Sequence, residues 1–197
     1  MYKSQNNNIH YIYIMINQLL KNKDLQFGLQ QEHEVLSKIR KHFKDDTIQK
    51  NPDEYGFLDF YSMRKDGTMK YKIELKSRKP PYYMDVETHR AYSKKTGYEL
   101  RTIIFGNNKM DEYRYILTKN PKCHCYILFN MYDKSLKKQN LFYYRITLNK
   151  INNKFNIEWI KEPNVWNKVR NDTEKNTNIG IKTEYIKPLS EMSFKKK

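Results

Sequence analysis

The sequence predicts an α/β (α+β) protein built around one mixed sheet flanked by helices. Three observations carry that expectation. An apolar stripe at helical spacing runs from Phe27 to Phe43. A strongly alternating β-hairpin follows between Tyr55 and Ser77. A capped helix from Lys109 then separates a third strand from two more. The order helix, strand, strand, strand, helix, strand buries helices against a sheet, with further strands added afterwards.

The 197 residues suit one domain with a hydrophobic core of its own. Apolar residues make up 38% and aromatics 14%, which excludes disorder for most of the chain. Two cysteines exclude a disulfide scaffold and any four-cysteine metal site. With 38 Lys+Arg against 22 Asp+Glu, the net charge is +16. Clustered cations neutralise phosphates, so this charge is compatible with nucleic acid. Abundant Lys, Asn, Ile, Tyr and Phe beside a single alanine, Ala91, also match AT-rich codon usage. Charge alone therefore assigns no function.

Residues 1–26 form an N-terminal extension. Its apolar run from Ile9 to Ile16 is too short to span a bilayer and lacks a signal-peptide cleavage site. With two free cysteines, this points to an intracellular protein with no membrane partner. In the first helix, Leu29, Val35, Leu36, Ile39 and Phe43 share one stripe. Lys38, Arg40 and Lys41 lie toward its negative C-terminal end. Asp45-Asp46 and Asn51-Pro52-Asp53 mark a connection. Strands over Tyr55–Met63 and Met69–Ser77 flank the turn signal Asp66-Gly67, and Pro80-Pro81 ends the second.

Tyr82 to Leu100 is polar and tyrosine-rich, a short helix or a flap. A third strand is expected over Arg101–Phe105, then a helix over Lys109–Lys119 with Asn108 as N-cap and Asp111 three residues on. Strands are expected over Cys123–Tyr132, Leu141–Leu148 and Phe155–Ile160. The core domain thus spans 27–160. Residues 161–197 form a polar C-terminal extension that could pack on the core, with one short strand near Tyr185-Ile186.

The hairpin fixes a geometry. With Asp66-Gly67 as a two-residue turn, cross-strand partners have numbers summing to 133, which sets Asp59 opposite Glu74. Their Cβ atoms would lie about 5 Å apart. Alternation puts Lys76 on the same face, while Leu58, Phe60, Ile73 and Leu75 point to the core. Like charges directly opposite destabilise a sheet, and a bridging divalent cation removes the conflict. Hard oxygen donors suit Mg²⁺ or Mn²⁺, and the Leu75 carbonyl could add a ligand. Glu32 lies on the apolar stripe of the first helix, where a carboxylate needs a partner.

Asp59 followed by Glu74-Leu75-Lys76 resembles the PD-(D/E)xK nuclease superfamily. Glu74-Leu75-Lys76 is the sole acidic-x-Lys tripeptide of the chain. Gly28 followed by Glu32 resembles the first-helix motif of archaeal Holliday junction resolvases. The resemblance covers roughly residues 27–132 and implies a restriction-endonuclease-like αβββαβ core. It also implies a Mg²⁺-dependent endonuclease that cuts DNA. Asp59, Glu74 and the Leu75 carbonyl would hold the metal, Glu32 would hold or orient a second metal or its water, and Lys76 would orient the attacking water. The motif's proline is absent before Asp59. Lys109 stands four residues before Tyr113, where RecB-like relatives place a Gln; it could contact the scissile phosphate.

Arg78 and Lys79 extend the Glu-x-Lys strand and could bind phosphates. Tyr82, Tyr83, Tyr92 and Tyr98 could stack on bases or pack a flap. Cys123 and Cys125 fall on one face of a strand and read as buried thiols. A homodimer is an expected state for an enzyme that must cut two strands. Two other readings stay open: a noncatalytic nucleic-acid-binding module of the same fold, and an RNA-cleaving nuclease, since a metal site does not read the sugar.

Overall fold

The computed structural model describes residues 26–52, 58–77, 82–85, 90–93, 99–100, 102–106, 108–149, 154–155, 160–162, 166–167, 172–173 and 178–192. Helix α1 covers residues 26–43. The strands are β1 (Gln49–Lys50), β2 (Phe60–Met63), β3 (Met69–Ser77), β4 (Tyr82–Asp85), β5 (Arg90–Ser93), β6 (Glu99–Leu100) and β7 (Thr102–Gly106). Helix α2 (Asn108–Lys119) follows. Then come β8 (His124–Asp133), β9 (Lys138–Ile146), β10 (Ile160–Glu162), β11 (Trp166–Asn167), β12 (Asp172–Thr173), β13 (Asn178–Lys182) and β14 (Lys187–Pro188). Among the described residues the chain is therefore α+β, with a mixed sheet and two α-helices. Among the described residues, no helix is long and apolar enough to cross a membrane.

Strand β8 organises the main sheet. On one edge it pairs in parallel with β3, from Tyr71–His124 to Ser77–Asn130. The same edge then receives β4 in parallel at Tyr83–Tyr132 and Met84–Asp133. On its other edge β9 runs antiparallel along Cys125–Asp133. Beyond β3 lie β2 and β1, beyond β4 lie β5 and β6, and β14 borders β9.

Both faces are covered. Val35, Ile39 and Phe43 of α1 pack with Phe60, Ile73, Leu75 and Leu128 on one face. Met110, Tyr113 and Leu117 of α2 pack with Cys125, Ile127 and Phe129 on the other. Two-sided cover explains why the middle of β3, from Tyr71 to Leu75, is buried without a break despite its polar alternation.

The hairpin keeps the predicted register by a different route. Phe60–Ile73, Tyr61–Lys72 and Ser62–Tyr71 pair with the expected sum, but Met63 pairs with Met69, one lower. The loop is longer than two residues: Gly67 N–H bonds the Arg64 carbonyl at 3.0 Å and Arg64 N–H bonds the Thr68 carbonyl at 2.7 Å. Gly67 adopts φ 77°, the left-handed residue that closes a type I turn in a three-residue hairpin loop. A bulge next to this pair, which leaves Lys70 as the extra residue, returns the strands to the expected register.

Three expectations change. The third strand forms as β7, but it pairs with β13 in a separate β10-β13-β7 sheet and not with the hairpin. The first hairpin strand is shorter, starting at Phe60; residues 53–57 lie outside the described residues. Thr183–Tyr185 is a 3-10 turn, and the short strand follows it as β14. The C-terminal segment also joins the core: Ile181 and Ile186 enter the α2-side cluster, and Leu189 and Met192 the α1-side cluster. Residues 1–25 lie outside the described residues.

Candidate active site

Asp59 sits where β2 ends. In a continued hairpin ladder the Leu75 N–H would meet the Leu58 carbonyl. That carbonyl instead accepts from Nδ2 of Asn51 at 3.1 Å. The Asp59 carboxylate takes its place, and its Oδ2 accepts the Leu75 N–H at 2.5 Å. Asn51 N–H bonds the Asp59 carbonyl at 2.8 Å, so the connection after β1 braces the residue from behind. The Leu75 carbonyl points to the same side of β3 as its N–H, past the end of β2.

Glu74 lies on the α2 face of β3, with its side chain 2% exposed. Its Oε1 accepts from Lys76 Nζ at 2.6 Å. The Lys76 side chain keeps 30% exposure, so its ammonium lies between a buried acid and solvent. Burial pushes the Asp59 carboxyl up to about 7; the Glu74 charge adds to this, Glu32 adds less, and the Leu75 N–H and Lys76 oppose it. Asp59 is not the paired rung expected opposite Glu74: its N–H bonds the Ile73 carbonyl at 3.2 Å, and its carboxylate bonds the N–H of Leu75, the residue after Glu74.

Glu32 is brought near without joining them. It belongs to α1, which covers the face opposite Glu74. Its Oε2 lies 3.0 Å from Nζ of Lys50 on edge strand β1. Among the described residues, no three His, Cys, Asp or Glu side chains converge where a metal ion would sit. The Asp59 and Glu74 carboxylates are hard oxygen donors of the kind Mg²⁺ or Mn²⁺ takes, and water or phosphate would be needed to fill the shell. Arg78 and Lys79 lie outside the described residues, as does the Lys109 side chain; the Lys109 backbone is in the first turn of α2. Of the tyrosines between 82 and 98, Tyr82, Tyr83 and Tyr92 lie on β4 and β5, and Tyr98 lies outside the described residues.

Three residues near the site were given no role there by the sequence. Lys72 shares the face of Glu74 and Lys76 and is fully buried. Its ammonium pairs with Glu112 of α2 and lies 4.8 Å from the Tyr113 ring centroid. Tyr113, also fully buried, brings a hydroxyl with no hydrogen-bond partner among the described residues. Burial holds that phenol well above its usual range, and the Glu74 charge pushes the same way. The third is Lys50. Lys72 carried no local signal, because its face of β3 is buried only when α2 packs over it. Lys50 carried none, because its partner is distant in sequence.

The other candidates lie apart from Asp59. Cys123 and Cys125 are free and buried, 3.9 Å apart, and Arg145 donates to Nδ1 of His124 at 3.0 Å. They sit by a cavity of about 450 Å³ lined by Leu117, Cys123, Arg145 and Leu148, at the end of β8 away from Asp59. Compared with known proteins, the chain matches no family model, no curated protein and no solved structure.

Proposed function

We propose that this chain is a metal-dependent endonuclease of the PD-(D/E)xK type that hydrolyses phosphodiester bonds in DNA. The observation that carries the reading is the Asp59 carboxylate held at 2.5 Å on the N–H of Leu75, the residue between Glu74 and Lys76, where burial and then the Glu74 charge raise the Asp59 carboxyl. A folded protein tolerates such a conflict where a cation resolves it. In this reading Asp59 and Glu74, with the Leu75 carbonyl, hold Mg²⁺ or Mn²⁺. The ion would lower the pKa of a bound water and offset charge on the phosphate. Lys76, solvent-facing and hydrogen-bonded to Glu74, orients the attacking water and steadies the phosphate oxygens. Glu32 orients the water or a second ion. Arg78, Lys79 and Lys109 contact the DNA backbone. The restriction-endonuclease-like core is part of the proposal, supported by α1 and α2 on opposite faces and by β3 running parallel to β8.

The test is nicking of circular plasmid by purified protein with Mg²⁺ or Mn²⁺, with EDTA as control and an RNA strand as a parallel substrate. Glu74→Ala and Lys76→Ala should each lower DNA cleavage by at least about a hundredfold. Glu74→Ala cutting as fast as wild type refutes the site. Faster RNA than DNA cleavage replaces the substrate.

A second reading has its own observation. Glu74 and Glu32 each already hold a lysine, Lys76 and Lys50, so the two acids are balanced without a metal. That favours a noncatalytic nucleic-acid-binding module. Metal-independent DNA binding with no cleavage of any substrate would establish it.

A further inference from the structure

We propose that Cys123 and Cys125 form a reactive dithiol, at which a low-molecular-weight disulfide exchanges with Cys123 and Cys125 then closes a reversible Cys123–Cys125 bridge. This site is independent of the nuclease reading and lies at the N-terminal end of β8. The two sulfurs are 3.9 Å apart, with the Cys125 S–H donating to Cys123 Sγ. They are the two cysteines of the whole chain, so a bridge within one chain can only be this one. The thiols differ in access. Cys125 has no exposed surface, whereas Cys123 keeps 4% and lines the cavity of about 450 Å³. That volume suits a small molecule, and the lining mixes Leu117, Pro121 and Leu148 with Thr118 and Thr147. One arm of a small, polar, uncharged disulfide matches that mixture.

The backbone allows the bridge to close. A disulfide needs sulfurs about 2.05 Å apart and Cα atoms within about 6.8 Å. Cysteines flanking one residue of a flat strand sit at that upper limit. Cys123 is not held flat: it precedes His124, the first residue paired with β3, and its N–H bonds the Asn120 carbonyl at 2.9 Å in the turn after α2. Its sulfur can therefore approach Cys125 without breaking the ladder. A bridge so short is strained, and strained disulfides are the labile ones that thiols reduce again. The two thiols take different parts. The Cys125 hydrogen bond, helped by the Arg64 and Lys72 charges, holds the Cys123 thiol below its usual range against burial. The same contact, then burial, holds the Cys125 thiol up, so it keeps its proton. Cys123, its proton given to water, attacks one sulfur of the small disulfide; that S–S bond breaks and one small thiolate leaves. The Cys123 charge that held the Cys125 proton is then gone. Cys125 gives its proton to the departed thiolate, and its sulfur attacks Cys123 Sγ. The second small thiolate leaves and takes a proton from water. Two protein thiols are oxidised, and one small disulfide is reduced to two thiols.

The experiment incubates the folded full chain with hydroxyethyl disulfide at about pH 8 and reads intact and tandem mass spectra without reduction. Wild type should lose two hydrogens within the peptide that carries both cysteines, and dithiothreitol should restore them. Cys125→Ser should stop with one hydroxyethylthio group on Cys123. Cys123→Ser should react at least about tenfold more slowly than Cys125→Ser, because Cys125 has no exposed surface. Where circular dichroism shows a variant unfolded, wild type alone decides: brief iodoacetamide treatment should label Cys123 at least about tenfold faster than Cys125. If folded wild type takes up neither reagent while urea-unfolded protein takes up both, the thiols are inert packing and the proposal is wrong. A mixed disulfide that persists on Cys123 in wild type, or labelling of Cys125 as fast as Cys123, overturns it as well.

Discussion

The Asp59 carboxylate accepts the backbone N–H of Leu75 at 2.5 Å, in the place that a Leu58 carbonyl would fill if the hairpin continued. A side chain completes the ladder just where β2 stops, and the next residue along β3 from Ile73 is the buried Glu74. The arrangement ties the acid pair to backbone geometry and not to rotamer choice alone.

That placement has a pH signature. In the unfolded chain Asp59 titrates near 3.9; in the fold it is raised to about 7, so the folded state holds the proton more tightly. Its favourable contribution is full below about pH 4 and is lost as the pH rises through about 7. Asp59→Asn keeps an acceptor for Leu75 N–H and removes the charge. Metal-free Asp59→Asn should be about 1–2 kcal/mol more stable than wild type at pH 8, allowing for partial solvation, with the gap closing by about pH 4. Urea unfolding across this range checks it. A gap that widens on acidification contradicts the assignment.

Asp45 should behave in the opposite sense. Burial pushes its carboxyl up, but Lys70 and the Thr47 hydroxyl and N–H outweigh that and hold it below the usual range. Lys70 Nζ approaches its Oδ2 at 2.7 Å, Thr47 Oγ1 and N–H bond Oδ1, and Ser62 Oγ reaches Oδ2 at 3.2 Å. The stabilisation is present above about pH 4 and disappears as the pH falls through the depressed folded value. Asp45→Asn should cost about 1–2 kcal/mol at pH 7 and little at pH 2–3. Thermal unfolding at both ends reads the difference.

Lys72 and Glu112 join β3 to α2 across the α2-side core, with the Lys72 side chain fully buried. Glu112→Ala removes one carboxylate from that buried ammonium and should cost about 2–3 kcal/mol by denaturant unfolding. The double change Lys72→Met with Glu112→Leu should recover most of this loss, because apolar groups of similar size suit the Met110, Tyr113 and Ile127 surroundings. A double variant as unstable as the single one would show that the pair is worth more than its desolvation.

Gly67 has φ 77° with open space where a Cβ would stand. Gly67→Ala should therefore destabilise through backbone strain alone, by about 1 kcal/mol. Asp66, whose Oδ1 accepts from Thr68 N–H and Oγ1, keeps the turn closed, so strand register should survive. Unfolding with unchanged nuclear Overhauser contacts between Ser62 and Tyr71 would bear this out.

The sequence by itself determined α1, α2, the long strands β3, β8 and β9, and the register of Phe60–Ser62 against Tyr71–Ile73. These follow from short-range rules: the 3.6-residue stripe over Phe27–Phe43, the Asn108 cap, and the alternation around Asp66-Gly67. The hairpin register tolerated a wrong turn length because the bulge that leaves Lys70 over restored the phase, driven by the need to bury Phe60, Ile73 and Leu75 together.

Tertiary structure alone decided the rest. Strand β7 paired with β13, more than 70 residues away in the chain, and local pattern carries no information about such partners. The two-sided burial of β3 turned Lys72 from a surface lysine into a core cation matched by Glu112. Whether Glu32 faced a metal or an ammonium depended on where edge strand β1 set Lys50. A carboxylate takes the nearest cation that packing supplies, and that distance is fixed only when the whole chain has folded.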